Sequence, residues 1–487
     1  MSADAIKGLK PELVWNRFYE ITQIPHPSKK EEKICEYLRN FANDKNLEFK
    51  EDEVGNIVMK VPATPGCENA PIVVMQGHVD MVCEKNKGTE HDFENDPLKV
   101  FVDGEWFTAE GTTLGADNGI GVAAALAMVD EKDAVHGPLE LLFTVDEETG
   151  MTGVNGLQPG FVDGRILLNM DSEEDGVFYV GCAGGIDTVG FLDIKTTDVK
   201  SGFVPYELMV TGLKGGHSGL DIVQGRANAI KFLGRLLNMV STIDFQITDV
   251  SGGSLRNAIP REAEVTLLIN PSDEAFVKEK IEQFITEAKF EFKVPDPQVE
   301  VKFSKKDTTV AAAYTDEFAA NLLNLIYAVP HGVMTMNPEI PGLVDTSTNL
   351  ATITVNDNVL RLGTSQRSSI ESAKVQVART VKSALELGGA RVETGDGYPG
   401  WAPNMESELL KTARKVYTEM YKEEAEMKAI HAGLECGLLG AKYPGMDMIS
   451  YGPTIQGAHS PDERLNIKDT EKFYNLTKGL LKALAGK

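Results

Sequence analysis

The amino-acid sequence predicts an α/β protein built on a mostly parallel, mixed β-sheet flanked by helices. Helix-like and strand-like stretches alternate through the first half of the chain, which is typical of such a sheet. Several of the apolar strand-like stretches also end abruptly in His, Asp or Glu. Near Gly190 the alternation gives way to an α+β segment, and it returns near residue 397. These observations together predict an α/β domain interrupted by a second, α+β domain.

The elements of the first domain follow in chain order. Residues 30–42 carry apolar side chains on one helical face, and the short strands 47–53 and 56–62 follow, with Gly55 as the turn between them. The apolar strands expected in the middle of the sheet are 71–82, 139–148 and 165–174, with a buried helix over 119–131. After the interruption we expect a helix over 407–420, a strand over 446–452 and a closing helix.

The interrupting segment is predicted to be an α+β domain with a weak internal duplication. Its predicted helices cover 225–239, 272–289 and 368–389. The stretch 256–270 can be laid over 347–363, since each has an Asn followed by alternating strand residues. We therefore assign residues 1–186 plus 397–487 to the first domain and residues 187–396 to the inserted one.

The charge of the chain excludes some partners. The sequence has 48 basic and 73 acidic residues, a net charge of −25, so it repels phosphate backbones and anionic membranes. The longest strongly apolar run, Val122 to Val129, is far shorter than the ~20 residues needed to span a bilayer. The N-terminal residues do not have the pattern of a secretory signal, and the five cysteines form no CxxC pair. We expect a cytoplasmic protein with no nucleic-acid partner, no membrane association and no disulfide framework.

Polar residues at the ends of the predicted strands form the candidate site. The carboxyl ends of parallel strands meet at one edge of a sheet, which is where ligands bind in such folds. Two histidines and several carboxylates, without cysteine, suit zinc, manganese or cobalt. They exceed what one tetrahedral ion with an open position needs, and they suit two ions that share a carboxylate. The alternative is that each strand end is polar because it meets solvent. The residues are His78, Asp80, Asp117, Glu147, Glu148, Asp171 and His459.

Two of these sequence patterns suggest a division of roles. Adjacent side chains in extended backbone point in different directions, so one of Glu147 and Glu148 can bind a metal while the other faces a water as general base. In the pattern His78-Val-Asp80, a carboxylate that accepts the second imidazole N–H would fix the tautomer of the histidine.

Five motifs carry a resemblance to a known family. GHVDMV, GADNGIG, DEETG, NMDSEE and GAHSPDE, in this order, resemble the di-zinc metallopeptidases that include carnosinases, aminoacylases and related dipeptidases. The similarity covers nearly the whole chain. Within the family, GGSLRNAIPREAE, GLVDTSTNL and HAGLECGLL resemble the bacterial aminoacyl-histidine (Xaa-His) dipeptidases.

The resemblance implies roles for the strand-end residues. His78 and Asp171 would bind one metal ion, Glu148 and His459 the other, and Asp117 would bridge the two, with a cis peptide bond to the next residue. Asp80 would orient His78. Glu147 would take the proton from the attacking water and pass it to the leaving amine.

The resemblance also implies that the inserted domain is a lid that contributes to substrate binding. His217 would donate to the substrate carbonyl oxygen, and Asn257 would lie close to the substrate. Asn270 stands where simpler relatives carry an Arg for the substrate carboxylate, so Arg367 in the second half of the lid is the better candidate for this role. Glu435 is a candidate for binding the substrate ammonium.

The function implied by the resemblance is metal-dependent hydrolysis of dipeptides with free N- and C-termini, including Xaa-His dipeptides such as carnosine. The cofactors would be two divalent ions, zinc first, with cobalt or manganese as alternatives. The partner is a small peptide substrate, and the lid is a candidate surface for a homodimer. Alternatives are an aminoacylase or deacetylase, a tripeptidase, or a non-catalytic peptide-binding protein. The last would be expected to have lost a metal ligand or Glu147, and none of these residues is lost.

Overall fold

A computed structural model describes residues 3–486, and these fall into two compact units. The first unit comprises described residues up to 181, 403–429 and from 434 onward, and the second comprises 182–402 and 430–433. Residues 182–186, 397–402 and 430–433, which the sequence analysis assigned to the first domain, therefore belong to the second unit.

The N-terminal part of the first unit follows a short 3-10 helix over Ala3–Ile6. Its helices are α1 (Glu12–Thr22), α2 (Glu32–Asp44), α3 (Ala116–Asp130), α4 (Glu147–Gly150) and α5 (Thr152–Gly156). Its strands are β1 (Glu48–Glu51), β2 (Ile57–Val61), β3 (Val73–His78), β4 (Val100–Asp103), β5 (Trp106–Ala109), β6 (Leu139–Thr144), β7 (Ile166–Asn169) and β8 (Val177–Cys182).

The second unit follows in the chain. Its strands are β9 (Gly184–Asp193), β10 (Thr196–Thr197), β11 (Val204–Thr211), β12 (Gly216–His217), β13 (Phe245–Gly252), β14 (Ala258–Ile259), β15 (Ala263–Ile269), β16 (Glu300–Lys305), β17 (Ala313–Tyr314), β18 (Gly332–Met336), β19 (Val344–Asn356), β20 (Val359–Ser368) and β21 (Arg391–Thr394). Its helices are α6 (Ala229–Val240), α7 (Glu274–Glu291), α8 (Asp316–Ala328) and α9 (Glu371–Leu387), with 3-10 turns over Ile222–Gln224 and Pro271–Asp273.

The chain then returns to the first unit. The remaining helices are α10 (Glu408–Tyr421), α11 (Glu435–Lys442) and α12 (Ile467–Leu484), and the remaining strands are β22 (Glu426–Ile430), β23 (Asp447–Ser450), β24 (Ile455–Gln456) and β25 (Arg464–Asn466). Among the described residues, no helix is both long and apolar enough to cross a bilayer.

The main sheet of the first unit has the strand order β1-β2-β6-β3-β7-β23-β8-β22. Its middle strands β6, β3, β7 and β23 are parallel, and β2 and β8 join them antiparallel. Strands β3 and β6 are buried along their whole length, as expected when both faces of a sheet are covered. The predicted α/β fold with a mixed, mostly parallel sheet is confirmed, and the carboxyl ends of its parallel strands lie at one edge.

Helix α3 packs against this sheet along a surface of small residues. Its sequence, ADNGIGVAAALAMVD, is buried from Asn118 to Met128, so it has no polar face to solvent over that length. The amide of Asn118 donates from Nδ2 to the carbonyl of Met170 at 2.5 Å. A Cβ added to Gly77 would lie 2.2 Å from Asn118 Oδ1, so only glycine lets the start of α3 approach β3 this closely. The helix thereby fixes Asp117, the residue before Asn118, beside the carboxyl ends of the strands.

The second unit contains an antiparallel sheet with the order β16-β11-β15-β13-β19-β20-β9-β21. Leaving aside the shortest strands, β11-α6-β13-β15-α7-β16 and β9-α8-β19-β20-α9-β21 are both βαββαβ units with the same spatial order of strands. The two meet where β13 pairs with β19, at Gly252 and Ile353. The stretches 256–270 and 347–363, which resemble each other in sequence, run into β15 and β20, and these strands hold equivalent places in the two repeats.

Helix α6 begins later than the sequence predicts. The predicted start was residue 225, but Gly225 lies in left-handed backbone and the helix begins at Ala229. Asn228 is the cap: its Oδ1 accepts from the N–H groups of Ile230 at 3.0 Å and Lys231 at 3.2 Å. Its Nδ2 donates to the carbonyl of Leu350 at 2.7 Å. Because Asn228 is buried, it joins the helix start to the sheet as well as capping it.

We predict that Asn228→Ala destabilises the second unit by about 2 kcal/mol, roughly 1 for the lost cap and 1 for the buried hydrogen bond. Amide hydrogen exchange along α6 measures this free energy locally. Asn270→Ala is a matched control, because Asn270 is exposed and caps a 3-10 turn by accepting from Ser272 N–H at 3.1 Å. Equal effects of the two substitutions would contradict the role of the Leu350 contact.

Candidate metal centre

Three predicted ligands meet around His78, at the carboxyl end of β3. His78 Nε2 lies 3.2 Å from Asp117 Oδ1 and 3.3 Å from Asp171 Oδ1. Asp171 follows β7 and Asp117 lies in the first turn of α3, so three different elements supply this group. Each residue offers one ligand atom, and the three atoms lie within 4.8 Å of one another. The group can hold one metal ion.

A second group shares Asp117 with the first. His459 Nε2 lies 3.1 Å from Asp117 Oδ2 and 3.1 Å from Glu148 Oε1. The two oxygens of Asp117 therefore face different histidines, which is the arrangement of a bridging carboxylate. The peptide bond from Asp117 to Asn118 is cis, as the resemblance implied. His459 is the most accessible member, with 51% of its side chain exposed.

The charges of these two groups are unbalanced. Among residues 3–486, no Lys or Arg forms an ion pair with Asp117, Glu148 or Asp171. The buried oxygens Glu148 Oε1 and Asp171 Oδ1 lie beside the imidazoles of His459 and His78 and have no other polar partner among the described residues. Hydrogen bonds to Asp117 and Glu148 raise the pKa of His459 to about 11. The site thus favours a positive charge, and divalent cations fit its donor set of imidazole nitrogen and carboxylate oxygen.

Asp80 lies beneath His78 and is almost completely buried. His78 Nδ1 is 3.3 Å from Asp80 Oδ1 and 3.1 Å from the main-chain oxygen of the same residue, so a proton on Nδ1 leaves Nε2 free to bind a metal. The Asp80 carboxylate also accepts from the N–H groups of Glu147 at 3.0 Å and Glu148 at 3.2 Å. Burial opposes the charged form, but the hydrogen bonds from His78 and Glu147 outweigh it and lower the pKa of Asp80 to about 2.

Glu147 lies beside the two groups without being shared between them. It can form a further set with His78 and Glu148, but it is absent from the sets that contain Asp117. Burial, together with the negative charges of Asp171, Glu435 and Glu148, raises its pKa well above the usual value. A carboxylate in such a place is suited to holding a proton for part of a reaction.

The turn that carries Glu147 and Glu148 is fixed by residues that the sequence analysis did not single out. Asp146 has φ 49° and accepts hydrogen bonds from the hydroxyls of Thr149 and Thr152. Its own N–H donates to Glu31 Oε1 at 3.0 Å, and Ser28 donates to Asp80 Oδ2 at 2.8 Å. Ser28 and Glu31 lie in the N-terminal stretch ITQIPHPSKKEE, to which the sequence analysis assigned no role.

Glu463 is a further residue to which the sequence analysis assigned no role. It ends the motif GAHSPDE, four residues after His459. Its carboxylate accepts hydrogen bonds from consecutive backbone N–H groups at the start of α3, including that of Asp117.

Glu435 begins α11 and is completely buried in the first unit. Its Oε2 accepts from Gln76 Nε2 at 2.6 Å and from Thr144 Oγ1 at 2.8 Å, while its Oε1 has no hydrogen-bond partner. Burial raises the pKa of Glu435 to about 7, partly offset by the positive charge of His78. Glu435 is therefore close to the metal-centre residues and keeps one oxygen free.

The predicted lid residues lie in the second unit, where the contacts of His217 define its tautomer. His217 Nδ1 accepts from the N–H groups of Gly219 at 3.3 Å and Leu220 at 3.1 Å. Burial and the charge of Arg367 lower the pKa of His217. The imidazole is therefore neutral at pH 7 with its proton on Nε2, so Nε2 is a hydrogen-bond donor.

The other predicted lid residues have different environments. Asn257 is exposed next to β14, which pairs with the strand of His217, and its main-chain oxygen accepts from Ser218 N–H at 2.8 Å. Arg367 is 7% exposed, and its Nη1 donates to the hydroxyl of Tyr398 at 2.9 Å. Its Nε has no partner, and no carboxylate among residues 3–486 forms an ion pair with it. A buried guanidinium without a carboxylate partner is costly, and an anion could offset that cost.

Similarity to known proteins extends over nearly the whole chain. The family model described as peptidase family M20/M25/M40 matches residues 74–483. The chain is 41% identical over 483 residues to the cytosol non-specific dipeptidase of Escherichia coli (strain K12), and the alignment covers 99% of each chain.

Solved structures of two peptidases are also similar to this chain. The crystal structure of aminoacylhistidine dipeptidase from Vibrio alginolyticus superposes with a TM-score of 0.91 at 43% identity and covers 98% of each chain. A tripeptidase from Staphylococcus aureus, at 16% identity and TM-score 0.57, covers 98% of this chain and 100% of its own and shows the shared fold alone. On the family match and the identity across the full length, the chain belongs to peptidase family M20/M25/M40.

Proposed function

We propose that this protein is a metal-dependent dipeptidase that hydrolyses dipeptides with free N- and C-termini, including Xaa-His dipeptides. The observation that carries the proposal is the pair of ligand groups that share Asp117, with Glu147 beside them. The full-length similarity to a dipeptidase of Escherichia coli and to an aminoacylhistidine dipeptidase of Vibrio alginolyticus supports the substrate class.

The cofactors are proposed to be two divalent ions, held by His78, Asp117 and Asp171 and by Asp117, Glu148 and His459. Nitrogen and carboxylate ligands favour zinc, and cobalt and manganese fit the same set. Such ions acidify water and polarise the scissile carbonyl when they are bound.

Glu147 is proposed to be the general base and then the general acid. Its carboxylate is not shared between the ligand groups, and its raised pKa lets it hold a proton taken from water. The proton can then pass to the leaving amine. The N–H of Glu147, which donates to Asp80, fixes the backbone of this residue while its side chain stays free to react.

The ends of the substrate are proposed to be bound by residues whose hydrogen-bonding capacity is unfilled. Arg367 would bind the C-terminal carboxylate through a guanidinium that has no acid partner among the described residues. His217 would donate from Nε2 to the substrate carbonyl oxygen, with Asn257 near the substrate. Glu435 would accept from the substrate ammonium through Oε1.

A cytoplasmic location and a homodimer formed through the second unit remain proposals. The first is supported by the absence of disulfides between the five cysteines, all among the described residues, and by the name of the Escherichia coli relative. Residues 187–396 are proposed to act as the lid domain, and residues 1–186 with 397–487 as the catalytic domain.

A panel of substrates tests the proposed function. The protein should be loaded in turn with zinc, cobalt and manganese and assayed on carnosine, Gly-His, a tripeptide and an N-acetyl amino acid. We expect turnover of the dipeptides and loss of turnover after chelation. Rapid cleavage of the acetylated compound without dipeptide hydrolysis would identify an aminoacylase or deacetylase, and preference for the tripeptide would identify a tripeptidase.

We predict that Glu147→Gln retains its metal ions and lowers kcat by about 10²–10⁴-fold, because it removes the base and leaves the ligand groups intact. Bound metal is measured by atomic emission beside the turnover rate. Glu174→Gln is the control, since Glu174 is an exposed carboxylate that pairs with Lys428. Loss of metal from Glu147→Gln would show that Glu147 is a ligand rather than the base.

We predict that Arg367→Ala lowers kcat/KM for dipeptides by about 10- to 150-fold, which corresponds to a charge-assisted hydrogen bond of ~1.5–3 kcal/mol. The loss should be much smaller for the matching dipeptide amides, which have no carboxylate. Arg361→Ala is a control on the same strand, because Arg361 is exposed on β20. Equal losses on acids and amides would assign Arg367 to the support of the fold.

A further inference from the structure

We propose that Glu463 is a positioning residue that holds the bridging carboxylate of Asp117 in place and ties it to the loop of His459. The Glu463 carboxylate accepts hydrogen bonds from a run of consecutive backbone N–H groups. Its Oε2 accepts from Leu114 at 2.7 Å and Gly115 at 3.0 Å. Its Oε1 accepts from Ala116 at 2.8 Å and Asp117 at 3.3 Å.

The position of the carboxylate explains how it can remain buried. Glu463 is 2% exposed and, among residues 3–486, forms no ion pair with a Lys or Arg. Leu114 and Gly115 precede α3 and Asp117 has non-helical backbone, so the regular hydrogen bonds of a helix do not supply acceptors for these N–H groups. Both oxygens accept hydrogen bonds from the backbone of residues 114–117, and the last of these is the proposed metal ligand Asp117.

The other end of Glu463 is attached to the loop of His459. This loop, residues 457–463, joins β24 to β25, which pair antiparallel at Ile455 with Leu465. The main-chain oxygen of Glu463 accepts from Thr108 Oγ1 on β5 at 2.7 Å. Strand β5 also pairs with β25. Glu463 is therefore anchored by its main chain while its side chain reaches the start of α3.

This arrangement affects the two ligand groups unequally. In the group of Asp117, Glu148 and His459, the segments of Asp117 and His459 are joined by Glu463. In the group of His78, Asp117 and Asp171, the Glu463 carboxylate accepts hydrogen bonds from the segment of Asp117 and, within residues 3–486, from neither of the other two segments. If Glu463 fixes these segments, its loss should weaken the group with His459 more than the group with His78.

The inference rests on the metal centre of the proposed function, but its test includes a measurement that needs no metal and no substrate. Amide hydrogen exchange of residues 114–117 in the chelated full-length protein reports directly whether the carboxylate holds these N–H groups. Failure of the proposed dipeptidase activity would leave that measurement unaffected.

The experiment compares Glu463→Gln with Glu140→Gln. In Glu463→Gln an amide NH₂ replaces one oxygen, so two of the backbone N–H groups lose their acceptor. Glu140 is a matched control: it is a buried carboxylate on β6 that accepts from the N–H groups of Asp163 at 2.8 Å and Gly164 at 2.9 Å. It lies near the start of β6, whereas Glu147 and Glu148 follow the end of that strand.

The cobalt-loaded proteins are challenged with graded chelator, and bound metal is counted at each step. We expect Glu463→Gln to release one of two ions at about 10- to 100-fold lower chelator concentration, with faster exchange at residues 114–117. Glu140→Gln should release its metal as the wild type does. Glu463→Asp, which keeps the charge on a shorter side chain, should give an intermediate result and provides the test if the Gln variant does not fold.

Two results would overturn the inference. One is unchanged metal retention in Glu463→Gln and Glu463→Asp while exchange at residues 114–117 accelerates. The hydrogen bonds from the backbone to Glu463 would then not affect the metal ligands. The other is equal weakening by Glu140→Gln, which would show a general loss of stability rather than positioning.

Discussion

The concentration of negative charge at one edge of the main sheet is the constraint on which the rest of the structure depends. Four carboxylates, those of Asp117, Glu147, Glu148 and Asp171, lie around His78 and His459, and no Lys or Arg of the described chain pairs with Asp117, Glu148 or Asp171. Such an arrangement is costly unless a cation joins it, because buried like charges repel one another. The fold must therefore hold these side chains in place against their mutual repulsion.

Backbone hydrogen bonds provide much of this restraint. Parallel strands bring His78 and the segments of Glu147 and Asp171 to the same edge, but the turns that follow need separate support. Asp80 accepts from the N–H groups of Glu147 and Glu148, and Glu463 accepts from those at the start of α3. Asp80 and Glu463, which are outside the two ligand groups, thus hold the backbone of residues whose carboxylates lie in the site. They do so without bringing positively charged side chains into it.

The sequence was sufficient to predict the parallel sheet and to single out the strand-end residues, because apolar runs and the acids that end them are local patterns. The structure brings His78, Asp117, Glu148, Asp171 and His459 together and places Glu147 beside them. The contacts of Glu463 could not be predicted in this way, since every residue except proline has a backbone N–H and no side-chain pattern marks which of these groups lack a partner. The sequence likewise could not predict that the Arg367 guanidinium lacks a carboxylate partner, because that depends on which residues surround it in space. The start of α6 was misplaced because the capping role of Asn228 outweighs the propensity of the preceding residues.

The repeated strand order of the second unit has a consequence for how recognition and stability are divided. Strands β15 and β20 are equivalent in the two βαββαβ units, yet the polar residues at their carboxyl ends are used differently. In one copy Asn270 is exposed and begins a helical turn. In the other Arg367 is buried beside Tyr398 with hydrogen-bonding capacity to spare. In a duplicated domain the two copies can therefore differ in role. One copy can contribute only to the stability of the domain, while the other keeps a costly buried charge that an isolated half would have to stabilise alone.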